Sequence, residues 1–125
     1  MRLLLDTRAV IRLLVDPQPL PPGAEAALRD QRTEPLVSVA SVWEIALKVA
    51  VGKLEAPDDL LDLLAGHGVD LLAITAEHAC ATRHLPLHHR DPFDRLLIAQ
   101  AQAEHLPIVT GDPVFPAYDV RVIWS

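Results

Sequence analysis

Short apolar runs and helix-patterned stretches alternate along the whole chain, and this alternation restricts the fold more than any other feature. Arg2–Leu5, Pro35–Ser38, Val69–Ala73, Leu106–Thr110 and Val120–Trp124 read as strands, each a brief apolar run bounded by turn or capping residues. Helices are predicted over Thr7–Val15, from Pro22 to about Arg32, from Ser38 or Ser41 through Val51 to a stop at Gly52, and from Pro57-Asp58-Asp59 to Gly66 or Gly68. Two more follow, over Ala76–Arg83 behind Thr75 and from Asp91 to about Glu104. Pro17, Pro19, Pro21 and Pro22 make the segment at 16–22 a loop, since proline supplies no ladder donor and breaks a helix interior. Strands that alternate with helices imply a parallel sheet. The expectation is a single α/β domain over residues 1–125, with a central parallel sheet flanked by helices on both faces. In such sheets ligands bind beyond the carboxyl ends of the strands.

Composition narrows the function classes. Half of the 125 residues are apolar and only 4% aromatic, which suits Leu-, Val- and Ala-rich helices packed on a sheet. The one cysteine, Cys80, forms no internal disulfide and fits a reducing cytoplasm. The apolar start Leu3-Leu4-Leu5 ends at Asp6, far short of the roughly 7–15 residues of a signal-peptide core. No apolar run approaches the ~20 residues of a membrane span, so no membrane partner is expected. A formal charge of −6 argues against a generic basic nucleic-acid coat, yet it is compatible with a nuclease whose acids surround metal ions.

The densest motif is His89-Arg90-Asp91-Pro92-Phe93-Asp94-Arg95-Leu96-Leu97-Ile98-Ala99-Gln100-Ala101. Pro92 suits the first helical position, where its missing N–H costs nothing, and Asp91 then stands at the N-cap. Leu97, Ile98 and Ala101 form one apolar stripe, and Asp94 lies three, four and seven residues before them, on the same face. A carboxylate aimed inward needs a partner.

Three further acids are placed to meet it. Asp6 directly follows the first strand, Asp112 follows the strand ending at Thr110 after one glycine, and Glu44 lies early in the helix after Pro35–Ser38. All can reach the carboxyl edge. Converging carboxylates raise one another's pKa, and a hard divalent cation relieves that repulsion. Metal-assisted hydrolysis of a phosphodiester suits such a set. Each acid also has an ordinary reading: Asp6 as a helix N-cap, Asp112 before Pro113 as a turn residue, Glu44 as the third-position acid of a Ser41-Val42-Trp43-Glu44 capping box, and Asp94 as a first-turn acid.

Four stretches in order resemble the PIN-domain ribonucleases, and among them the VapC toxins of toxin–antitoxin pairs. They are Leu3-Leu4-Leu5-Asp6-Thr7, Ser38-Val39-Ala40-Ser41-Val42-Trp43-Glu44-Ile45-Ala46, the stretch from Asp91 to Ala101, and Val109-Thr110-Gly111-Asp112. The resemblance implies a catalytic set of Asp6, Glu44, Asp94 and Asp112. Asp6, Asp94 and Asp112 would bind Mg²⁺ or Mn²⁺, and Glu44 would act through water. It also implies RNA cleavage, a cognate antitoxin protein and a homodimer. The chain departs from the pattern at Arg8, where a histidine is common, and at Arg12, where a tryptophan is. Arg8 either holds a substrate phosphate or pairs with an acid and weakens the metal site.

Arg90 and Arg95, with Arg83 nearby, are candidate phosphate contacts. His84 and His88 are spaced as in a helical zinc pair, but Pro86 lies between them; with His89 they are expected in a solvated loop beside the site. Trp43 and Trp124 are expected in the core, and Cys80 as a small buried filler. Two alternatives accompany the ribonuclease reading. One is a PIN-like domain whose site has lapsed and which binds only a protein. The other is a haloacid-dehalogenase-like phosphatase, which would need a second Asp where this chain has Arg8.

Overall fold

A computed structural model describes residues 1–125. Five strands, β1 (Arg2–Leu5), β2 (Glu34–Ser38), β3 (Asp70–Leu72), β4 (Ile108–Thr110) and β5 (Val122–Trp124), form one sheet in the order β3-β2-β1-β4-β5. All four neighbouring pairs are parallel. The helices are α1 (Thr7–Val10), α2 (Pro22–Arg29), α3 (Val39–Ala50), α4 (Leu60–Gly66), α5 (Ala76–Ala81) and α6 (Pro92–Glu104). None is long and apolar enough to cross a membrane.

The central strand explains why helices cover both faces. Successive side chains of a strand point to opposite sides, and Leu3, Leu4 and Leu5 are all buried. Leu4, in register with Leu36 and Ile108, faces a core that holds Leu97, Ile98, Leu106 and Phe115. Leu3 and Leu5 face the other, with Val10, Val37, Ile45, Leu64 and Val109. A strand apolar on both sides is stable only when both are packed. The expected layered α/β architecture is therefore the observed one.

Local chemistry sets most boundaries. Asp91 caps α6, its Oδ1 accepting from the amides of Phe93 (2.9 Å) and Asp94 (3.0 Å). His105, at φ 54°, ends α6 in the left-handed conformation, and the Leu106 amide turns back to the Ala101 carbonyl at 2.9 Å. The predicted helix through Val15 continues α1 with wider π-type turns over Ile11–Val15, the Asp16 amide reaching the Ile11 carbonyl at 2.8 Å. The predicted helix to Arg83 ends at Ala81 and tightens to a 3₁₀ turn over Thr82–His84.

Three expectations are corrected. The cap of α3 is Ser38, whose Oγ accepts from the Ala40 amide at 3.0 Å. Ser41 lies inside the helix, buried, and its hydroxyl accepts from Thr7 Oγ1 at 2.9 Å, so the Ser41–Glu44 capping box does not form. The tryptophans are outside the core: Trp43 is 60% exposed and Trp124 49%. Trp43 lies on the outer side of α3, edge-on to Phe93 at 5.1 Å between ring centroids, and Trp124 ends the edge strand β5. Cys80 is exposed because α5 turns His78 inward instead.

Gly111 has a steric role. A Cβ there would stand 2.6 Å from the Ser125 carbonyl oxygen, next to the Ser125 amide that donates to the Thr110 carbonyl at 3.0 Å. Gly111→Ala is expected to destabilise the fold by about 1–3 kcal/mol, as overpacking does. Urea unfolding reads this directly, and an unchanged midpoint would mean that the backbone at Ser125 moves aside freely.

Candidate active site

From β1 the chain steps outward to β2 and β3, then returns to the other side for β4 and β5. The order reverses between β1 and β4, and a parallel sheet opens a crevice at such a switch point. Asp6 leaves the end of β1, its amide bonded to the Val109 carbonyl of β4 at 3.0 Å. Asp112 leaves the end of β4. Glu44 comes from the second turn of α3 and Asp94 from the first turn of α6. All four acids line one cleft of about 410 Å³ that contains no apolar lining residue.

Their environments differ. Asp6 is 4% exposed and also acts as the N-cap of α1, its Oδ1 accepting from the Ala9 amide at 2.8 Å. Burial raises its pKa, while the Thr110 hydroxyl, the Ala9 amide and the Arg8 charge pull it down. Asp94 is pushed up to about 7, first by burial and next by the Asp91 charge; Glu44 and Asp6 add to this, and His89 opposes it. Glu44 is buried, with Oε2 at 3.1 Å from Lys48 Nζ, and its buried Oε1 has no hydrogen-bond partner. Asp112 accepts from the Val114 amide through Oδ1 at 2.9 Å and lies 2.9 Å from His89 Nε2 through Oδ2.

A carboxylate oxygen buried without a donor, beside a carboxyl that resists ionisation, marks a deficit of positive charge. Lys48 and His89 do not fill it. The carboxylates supply hard oxygen ligands, the set that Mg²⁺ or Mn²⁺ takes, so the residues fit such an ion. The arrangement can hold a divalent cation at the sheet edge with room for a phosphate.

The basic residues are distributed less simply. Arg8 lines the cleft and is exposed, and the acids' short-range ion pairs go to Lys48 and His89 rather than to it. Arg90 is exposed and outside the cleft lining. The Arg95 guanidinium donates to the carbonyls of Pro86, His89, Thr82 and Leu85 at 2.7–3.2 Å, and a group so engaged has little left to offer an anion. The histidines separate as well. His88 packs edge-on to Tyr118, His84 is exposed, and His89 alone reaches the cleft. Sequence reading passes over Lys48, although its position four residues after Glu44 is the spacing of a helical ion pair.

Comparison with known proteins bears on the fold and the family. No curated protein sequence matches the chain. Among solved structures it resembles a chain of VapBC2 from Rickettsia felis bound to a DNA fragment from their promoter, at 15% identity and TM-score 0.74, with 99% of this chain and 98% of that one covered. It also resembles a chain of DNA-bound VapBC from Salmonella typhimurium, at 18% identity and TM-score 0.69, with 99% and 98% covered. A third likeness is to a toxin–antitoxin complex from Klebsiella pneumoniae, at 18% identity and TM-score 0.67, with 97% and 95% covered. At these identities the likeness speaks for the fold. The sequence itself matches the PIN domain family over residues 3–121, nearly its whole length, and the chain belongs to that family.

Proposed function

We propose that this protein is a metal-dependent endoribonuclease and the toxin of a toxin–antitoxin pair. The observation that carries the reading is the meeting of Asp6, Glu44, Asp94 and Asp112 at the switch point, with Glu44 Oε1 unpartnered and the Asp94 carboxyl raised to about 7. Asp6, Asp94 and Asp112 would hold Mg²⁺ or Mn²⁺, and Glu44 would act through water. When bound, the ion would activate a water and stabilise charge on the phosphate. The chain's own part is to fix the ligands and exclude alternatives. Asp6 is fixed by its cap bond and Asp94 by the capped first turn of α6. Glu44, held by Lys48, lines the cleft, where its carboxylate would orient a water. Arg8, which lines the cleft and makes no short-range ion pair, would meet a phosphate of the RNA.

The toxin assignment rests on the toxin–antitoxin neighbours in fold and includes a cognate antitoxin, a homodimer and action in the cytoplasm. A lapsed site is disfavoured, because all four acids are present in one cleft and Arg8 forms no short-range ion pair with them. Membership in the PIN family leaves the phosphatase alternative without a structural basis. Incubated with total RNA and Mn²⁺, the protein is expected to cut at defined sites, and EDTA to stop the cutting. Intact RNA, from protein whose melting responds to Mn²⁺, would move the substrate class away from RNA.

A further inference from the structure

His89 is the one imidazole in the cleft, and both of its nitrogens have partners. The Asp91 amide donates to Nδ1 at 3.2 Å. An N–H that points at Nδ1 requires a lone pair there, which leaves Nε2 as the donor nitrogen of the ring. Nε2 donates to Asp112 Oδ2 at 2.9 Å and lies 3.1 Å from Asp94 Oδ2. Nε2 therefore has no lone pair to give a metal, although it sits among carboxylate oxygens at ligand-like distances.

The ring is also held from behind. The His89 amide donates to the Tyr118 hydroxyl at 2.7 Å, and that hydroxyl donates to the Pro86 carbonyl at 2.7 Å. Arg95 donates to the His89 carbonyl at 3.1 Å and to three more carbonyls of the 82–86 segment. Phe115 closes on the imidazole edge-on, 5.9 Å between centroids. So much restraint on one loop histidine suits a group whose job is to point one N–H in a fixed direction.

We infer that His89 is a positioning residue that orients the Asp112 carboxylate for the metal by donating from Nε2, with Asp94 alongside, and is not itself a metal ligand. Each carboxylate oxygen has two lone pairs, so Asp112 Oδ2 can accept from His89 and still coordinate. Donors to ligating carboxylates commonly tune metal affinity by roughly 10–100-fold. The ligand shell then consists of oxygens alone, the class that takes Mg²⁺ or Mn²⁺ rather than a histidine-rich zinc site. Arg95 and Tyr118 act one step further back, through the loop that carries His89.

This inference rests on the metal site proposed above, and the test separates the two. Mn²⁺ is titrated into the wild-type protein, His89→Gln and His89→Asn, with binding followed by electron paramagnetic resonance and imidazole nitrogen coupling sought by pulsed methods. The Gln amide nitrogen reaches the place of Nε2; the Asn amide does not. Wild type is expected to bind Mn²⁺ without nitrogen coupling, His89→Asn to bind roughly 10–100-fold more weakly, and His89→Gln to recover to within a few-fold of wild type. Nitrogen coupling in wild type would overturn the inference and leave the metal site standing. Equal affinity in all three proteins would also overturn it. Failure of wild type to bind Mn²⁺ would remove the metal site and this inference together. The coupling measurement uses wild type alone, so it holds even if a variant folds poorly.

Discussion

Asp94→Asn is expected to make the metal-free protein more stable while abolishing RNA cleavage. The Asp94 carboxyl is raised from 3.8 to about 7. Between those values the unfolded chain releases a proton that the folded chain keeps, so metal-free stability falls as pH rises from about 4 to 7 and levels off above. At pH 8 the folded protein carries the whole cost of an ionised, poorly hydrated carboxylate. One pKa unit corresponds to about 1.4 kcal/mol. The side chain is 23% exposed and water screens part of the effect, so asparagine should recover on the order of a few kcal/mol. Chemical denaturation at pH 8 and pH 4 reads this: the Asp94→Asn protein exceeds wild type in stability at the higher pH, and the gap closes at the lower. Cleavage should fall by roughly three orders of magnitude or more, the rate equivalent of several kcal/mol of metal-derived stabilisation. A variant that is both more stable and inactive has lost chemistry and kept its fold.

The second large effect is linkage between metal and protons. A ligand that binds only the native state at a hundred times its dissociation constant adds about 2.7 kcal/mol, or roughly 10 °C for a domain of this size. At pH 8 Mn²⁺ should produce a rise of that order. At pH 5 the ion must displace the proton from Asp94, and affinity should drop on the order of a hundredfold for two pH units below a carboxyl near 7. The same Mn²⁺ concentration would then raise the melting temperature by only about 1–2 °C. Burial also raises Asp6, which steepens the dependence. A melting shift equal at both pH values would mean that the ion binds elsewhere.

The part of this fold that is legible in the sequence is the part set by near neighbours. Asp91 and Pro92 start α6 through bonds two and three residues long, and Leu3-Leu4-Leu5 declares a strand buried on both sides. The approach of Asp6 and Asp112 is also legible, since both follow strands of a parallel sheet directly; Asp94 is not placed by that rule, because α6 is the second helix after β3. What cannot be read depends on distant or degenerate information. Helix α3 is apolar almost all round, from Val39 to Ala50, so its periodicity does not choose a buried face and Trp43 comes to lie outside. Ser38 and Ser41 can both cap, and the choice falls to where β2 ends. The alanines of α5 give no face at all, which hides the inward turn of His78 and the exposure of Cys80. Arg95 and His89 take their roles from a loop whose carbonyls lie 6 to 13 residues away from the arginine, and no local pattern encodes that path.

Calorimetric titration of Mn²⁺ at pH 8 into the wild-type protein and Asp94→Asn tests the central claim most directly. Wild type should bind the ion with a defined stoichiometry, and the Asn variant should bind it roughly a hundredfold more weakly or worse while remaining folded. Equal binding by the two proteins, or no binding by wild type, would contradict a metal site built on these carboxylates.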